Sequence, residues 1–343
     1  MKRHLNTLFV LTQGAYVARE SETIVIRVEQ ETRMKLPILT LQGVVCFGHV
    51  SVSPAAMALC CERGVLITFL SENGRFMARV VGRTSGNVLL RREQYRCAEQ
   101  LDRASEIARP IVMAKIANAR SVLQRSVRDR ATEEGTPAVA QAIVRLAALM
   151  GECRGTREID ALRGVEGAAA RAYFEVFDSL ISQQKENFRF ERRSRRPPLN
   201  RVNALLSFVY TLLVHDVQSA VESVGLDPAV GFLHRDRPGR PGLALDLMEE
   251  LRPWMADRLV MSLINLRQID QDAFRTGENG AVFLTEEGRK TVLAAYQKRK
   301  QEEMMHPFLE ERTTVGLLPH LQALLLARHL RGDLVSYPPL IWR

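Results

Sequence analysis

A histidine followed by two spaced carboxylates is the part of this sequence best suited to chemistry. Gly231-Phe232-Leu233-His234 closes an apolar turn, and a basic, Pro/Gly-rich loop follows from Arg235 to Gly242. Asp246 and Glu249 then recur in the helical pattern that starts at Leu243. An i, i+3 spacing puts both acids on one helix face. Leu243, Leu247 and Leu251 form the neighbouring apolar stripe, which anchors the helix while the acids remain available. One imidazole with hard oxygen donors suits a divalent cation such as Mn²⁺ or Mg²⁺. The same residues also describe a solvated acidic helix end beside a surface histidine, and spacing alone does not choose between the two.

The charge pattern points to a polyanion. The 343-residue chain carries a net charge of +9. Arg189 to Arg201 holds six arginines against one glutamate, and Arg79 to Arg96 holds five against one. Such clusters gain free energy from phosphates by releasing counterions; a solvated basic face is the plainer reading. Within and beside them, Arg192, Arg193, Arg195, Arg196, Arg235, Arg237 and Arg240 are candidates for neutralising a DNA backbone, which would position DNA rather than read bases. Segment 185–198 reads as an exposed, mobile loop.

The elements that must position these groups fall into two kinds. Hydrophobic content of 46% and charged content of 25% suit a folded chain of one large or two ordinary domains. Residues 1–84 read as mostly β: Thr7–Leu11, Tyr16–Ala18, Thr23–Val28 and Val44–Phe47, then Val65–Leu70 and Arg75–Val81 around a Glu72-Asn73-Gly74 turn. One helix interrupts them after a Ser53-Pro54 start signal. From about Asn87 the periodicity is helical to the end, which predicts an α+β chain with an all-α domain over 85–343. Pro110 is expected to kink or split the long helix after Leu101. Two glycines, Gly164 and Gly167, flank Glu166 in a helical stretch. Either close helix packing or close approach of a metal or phosphate backbone would explain them. No apolar run approaches the about 18 residues that span a bilayer, and the start has no signal-peptide pattern, so no membrane partner is expected. Five cysteines without a Cys-x-x-Cys pair suit a reducing cytoplasm. The proline-containing tail within 333–343 has no partner that the sequence names.

Three separated segments carry a resemblance. They are Leu162-Arg163-Gly164-Val165-Glu166-Gly167-Ala168, Gly231–His234, and Leu245–Pro253 with Asp246 and Glu249. With the Asn203/Leu206/Ser207/Tyr210 helix and the β-then-α layout, they resemble the CRISPR-associated adaptation integrase family, CRISPR-associated protein one. The resemblance implies that Glu166, His234 and Asp246 are catalytic metal ligands for Mg²⁺ or Mn²⁺, with Glu249 a possible second acid. It implies a homodimer formed through the N-terminal domain. It implies a heterohexamer with a dimer of the small CRISPR-associated protein two. It also implies insertion of spacer DNA into a CRISPR array on double-stranded DNA substrates. The chemistry would be transesterification, a DNA 3′-hydroxyl attacking a phosphodiester, with hydrolysis as its water-driven counterpart. Two other functions share features of the sequence: a non-catalytic DNA-binding scaffold, and a metal-dependent nuclease of branched DNA in repair.

Overall fold

The computed structural model describes residues 6–72, 74, 76–82, 88–129 and 136–342. Asn73 and Arg75 of the expected turn and strand, Arg83 of the basic run, and Arg343 lie outside them. The chain divides into two compact units, one of Met1–Ser85 with Leu293–Glu302, the other of Gly86–Val292 with Glu303–Arg343.

The first unit is built from β1 (Asn6–Val10), β2 (Tyr16–Glu20), β3 (Thr23–Val28), β4 (Glu31–Pro37), β5 (Leu41–Phe47), β6 (Ser51–Val52), α1 (Pro54–Glu62), β7 (Leu66–Leu70) and β8 (Phe76–Val80). One sheet has the order β1-β5-β7-β8, with β1, β5 and β7 parallel and β8 antiparallel; the other has the order β4-β3-β2-β6. Val17, Ile24, Val44, Cys46, Leu59 and Ile67 form its core. The helix start signal is realised: Ser53 Oγ accepts from Ala56 N at 3.1 Å and Pro54 opens α1. Burial pushes the Cys46 and Cys60 thiols up to about 12, which makes them packing residues rather than nucleophiles. Strand β4 is absent from the sequence-based expectation because its charged residues break the apolar alternation and nearly all its side chains are exposed; its pairing with β3 defines it.

The second unit begins with α2 (Val88–Glu99), α3 (Leu101–Asp129), α4 (Thr136–Gly155), α5 (Ile159–Glu175) and α6 (Arg201–Ser223). It continues with α7 (Gly242–Leu251), α8 (Arg258–Asn265) and the hairpin β9 (Phe274–Thr276) and β10 (Val282–Leu284). Helix α9 (Glu286–Gln301) runs from this unit into the first, and β11 (Glu303–Met305), β12 (Arg312–Thr314) and α10 (Leu318–Leu330) complete the chain. Pro110 does not split α3, which runs unbroken for 29 residues. Its neighbours Ala108, Ile111 and Val112 are fully buried, so packing outweighs the lost hydrogen bond. Pro253 is accommodated by a π-helical stretch, Arg252–Asp257, joining α7 to α8.

Helix α6 is long and apolar enough to cross a membrane, but 72% of that window is buried within the protein, as for a core helix. Segment 185–198 is anchored rather than free, which corrects the expected mobile loop. Phe188 and Phe190 are buried, and the Phe190 ring lies 4.9 Å from Phe177. Asn203 ties down the rest: its Oδ1 accepts from Ser194 N at 3.0 Å and its Nδ2 donates to Arg192 O at 2.8 Å.

Candidate active site

The His234 turn and the start of α7 are held together by Asp246. Its Oδ2 accepts from Phe232 N at 2.6 Å and Leu233 N at 2.9 Å. Its Oδ1 accepts from His234 N at 3.0 Å and lies 2.6 Å from His234 Nδ1. A carboxylate only accepts, so this contact places a proton on Nδ1; in the neutral ring the lone pair is then on Nε2. Two glycines allow the approach. A Cβ on Gly231 would stand 2.7 Å from Asp246 Oδ2, and one on Gly242 would stand 2.7 Å from the Ala229 carbonyl.

Glu249, one turn on, faces elsewhere. Lys115 of α3 pairs with Glu249 Oε2 at 2.6 Å and also with Glu166 Oε1 of α5. Arg252 pairs with Glu249 Oε1 at 3.1 Å. Burial alone would raise the Glu249 carboxyl. The charges of Arg252 and Lys115, joined by His234 when its ring is protonated, overcome it and hold the group down at about 2. Glu166 and Glu249 are thus two carboxylates on one cation.

These positions alter the expected ligand set. Among the described residues, no three His, Cys, Asp or Glu side chains are set to hold a common ion. Glu166, His234 and Asp246 are not brought together as three donors to one point, and both Asp246 oxygens accept from the His234 turn. Asp246 is fully buried, whereas the Glu166 and His234 side chains are 26% and 18% exposed. The acid that shares the Lys115 ammonium with Glu166 is Glu249. The flanking glycines do not serve close packing, since a Cβ on Gly164 or Gly167 would meet nothing within 4 Å. They leave α5 shallow beside Glu166.

The arginines divide. Arg163, one turn from Glu166, donates from Nε to Leu233 O at 2.6 Å and so supports the His234 turn. Burial lowers the Arg240 guanidinium, and the like charges of Arg237, Arg195 and Arg163 lower it further against the opposing pull of Asp246. Arg192, Arg195, Arg196, Arg235 and Arg237 are exposed, although Arg235 pairs with Asp160 at 2.9 Å. Arg193 is a correction to the expected DNA-binding set. It donates to Asn203 Oδ1 at 2.7 Å and Ser207 Oγ at 3.2 Å, and lies over the Tyr210 ring at 5.3 Å. It holds the loop together. Lys115 and Arg252 were not singled out from the sequence. The signal for Lys115 was available: with Asn118 it interrupts the apolar stripe Ile111, Lys115, Asn118, Val122 of α3.

Behind the site, Asp257 accepts from the Tyr210 hydroxyl at 2.5 Å. Burial pushes the Asp257 carboxyl up to about 7, and the Glu250 carboxyl likewise to about 7. Both folded values exceed the unfolded ones, so the folded state binds more protons between about pH 4 and about pH 7. Stability from these groups is fully present below the unfolded value and is lost as pH rises through about 7. Asp257→Asn keeps an acceptor for Tyr210 and should flatten this decline. Thermal melts at about pH 5 and about pH 7.5 should separate wild type from variant by on the order of a few kcal/mol.

A family model described as CRISPR associated protein Cas1 matches residues 8–298. The chain is 51% identical over 343 residues to a Chlorobaculum tepidum protein named CRISPR-associated endonuclease Cas1 1, covering 100% of each. Among solved structures, a casposase bound to integration product aligns with a TM-score of 0.83 at 22% identity, over 98% of this chain and 94% of that one. A chain of a Cas6-RT-Cas1–Cas2 complex aligns with a TM-score of 0.82 at 23% identity, over 98% of this chain and 36% of that one. At such identities the two structures establish the shared fold.

Proposed function

The chain belongs to the Cas1 family of CRISPR-associated proteins, and on that premise we propose that it is a cytoplasmic, metal-dependent DNA endonuclease and integrase that inserts spacer DNA into a CRISPR array. The observation that carries this reading is the pairing of Glu166 and Glu249 on one ammonium, with His234 held at Nδ1 by Asp246 so that Nε2 is the ring nitrogen left for a ligand role. That donor set, two hard carboxylates and one imidazole, fits Mg²⁺ or Mn²⁺. Glu166 and Glu249 are already gathered on the Lys115 ammonium; they and His234, which as they stand do not share one point, would close on the ion as it takes the place of that ammonium. Asp246 is then the residue that aims the imidazole. The ion would supply Lewis-acid stabilisation of the phosphoryl oxygens.

The chain's own residues do the rest. Arg163, Arg195, Arg237 and Arg240 neutralise the DNA backbone beside the carboxylates. The shallow face of α5 at Gly164 and Gly167 lets that backbone come near Glu166. A DNA 3′-hydroxyl attacks phosphorus and gives up its proton to solvent as the new P–O bond forms, the old P–O bond breaks, and the leaving oxygen takes up a proton in return. Water in place of the hydroxyl gives cleavage, in keeping with relatives named endonucleases. No covalent protein intermediate is needed. Double-stranded DNA, a second copy of the chain and a dimer of Cas2 are the proposed partners, forming a heterohexamer. The casposase bound to integration product and the Cas1–Cas2 complex lend support through their common fold. A passive DNA scaffold is disfavoured because clustered carboxylates repel phosphate.

The test is strand transfer from a labelled duplex with a free 3′-hydroxyl into a supercoiled target. Wild type with Mn²⁺ should nick and join the target, and both a chelator and Glu166→Ala should stop it. Joining that persists in chelator, or at the wild-type rate in Glu166→Ala, rejects the reading.

A further inference from the structure

We propose that the C-terminal segment 336–342 is a positioning element of the active site, clamping the helix that carries Glu249 to the helix that carries Lys115. Tyr337 and Leu340 are buried, and both address Glu250, the residue after Glu249. Tyr337 Oη donates to Glu250 Oε1 at 2.7 Å, and Leu340 N donates to Glu250 Oε2 at 2.8 Å. Gln322 of α10 donates to the same oxygen at 2.9 Å. On α3, Asn118 lies one turn from Lys115. Its Nδ2 donates to the Glu250 carbonyl at 2.7 Å and to the Leu340 carbonyl at 2.9 Å, and its Oδ1 accepts from Trp342 N at 2.7 Å. Trp342 then stacks on Trp254 of the π-helical stretch, with ring centroids 6.2 Å apart and an interplanar angle of 11°. The Arg258 guanidinium lies 4.6 Å from the Trp342 ring.

The segment therefore bonds to α3, α7 and the turn after α7 at once. Glu249 and Glu250 are consecutive, so one carboxylate meets Lys115 while the next is gripped by the tail. The rotation of α7 about its axis and its height against α3 are fixed by the same set of hydrogen bonds. These helices set where Glu249 stands relative to Glu166, and misplacement of a reacting group by about 1 Å can cost on the order of 100-fold. The clamp rests on the reading of Glu166 and Glu249 as carboxylates of the reacting site.

The experiment uses the full-length chain carrying Tyr337→Phe and Trp342→Leu together, measured for strand transfer, DNA affinity and Mn²⁺ affinity by calorimetry. We expect kcat and Mn²⁺ affinity to fall by about 10- to 100-fold, the range for residues that orient ligands from behind, with KM for DNA unchanged. Trp342→Phe, which keeps an aromatic face for Trp254, should retain most of the rate. An unchanged kcat overturns the clamp, and so does a proportional loss of DNA affinity and rate, which marks general destabilisation. Should the double variant be unfolded at the assay temperature, Tyr337→Phe alone, one hydroxyl fewer, decides by the same split. Glu166→Ala separates the two failures. If it is active, the site reading is wrong; if it is inactive while the tail variants run at the wild-type rate, only the clamp is wrong.

Discussion

Glu249→Gln should abolish both cleavage and joining while leaving DNA binding in place. Glutamine preserves volume but removes the negative charge that Lys115 and Arg252 share. With Glu166 left as the sole carboxylate facing the site, Mn²⁺ affinity should collapse, and the rate should fall by about 10²- to 10³-fold or more. A second effect follows from burial. Removing one partner of a buried ion pair strands the other charges, at about 3–5 kcal/mol. The Glu249 carboxyl is held at about 2, below its unfolded value, so its contribution to stability is present above that unfolded value and disappears as pH falls toward about 2. Glu249→Gln should therefore melt at lower temperature at neutral pH, and the gap should close in acid. Calorimetric titration with Mn²⁺, strand transfer and melting together check the claim. Wild-type Mn²⁺ affinity in this variant would return the ligand role to Asp246.

Asp246→Asn should impair the same reaction by a different route. Asp246 receives three backbone N–H groups and the His234 ring. An asparagine side chain has one accepting oxygen and an amide nitrogen that only donates. In either orientation its NH₂ faces N–H groups that it cannot satisfy, and each orphaned buried donor costs about 1–3 kcal/mol. The His234 turn should loosen, and the imidazole should lose its fixed tautomer. Metal affinity and rate should fall by about 10- to 100-fold. More Mn²⁺ should recover part of this loss, which it should not do for Glu249→Gln. Amide exchange at residues 231–234 should rise in the Asp246 variant and stay unchanged in the Glu249 variant. Complete loss of metal binding in Asp246→Asn with an undisturbed turn would make Asp246 a ligand itself.

Much of the architecture was legible because it rests on local periodicity. The change from β to helical pattern near residue 87, the strand Thr23–Val28 and the Ser53-Pro54 helix start all follow from side-chain type along the chain. Strands β4, β11 and β12 were not legible, since they are short or largely exposed and only a partner strand gives them structure. Pro110 misled for the opposite reason: its local cost was clear, and the burial that offsets it was not.

The candidate site divides along the same line. From sequence alone came the residues that form it: the segments bearing Glu166 and His234, two acids on one helix face, and the arginines around them. Tertiary structure decided their roles. Period 3.6 places Asp246 and Glu249 on the same face but cannot say that the 231–234 turn directs its N–H groups at the first and leaves the second to Lys115. It could not show that Arg193 turns inward onto Asn203, or that the last residues of the chain bind Asn118 and Glu250. Helical periodicity is a property of neighbours along the chain, whereas which oxygen meets which proton depends on groups more than a hundred residues away.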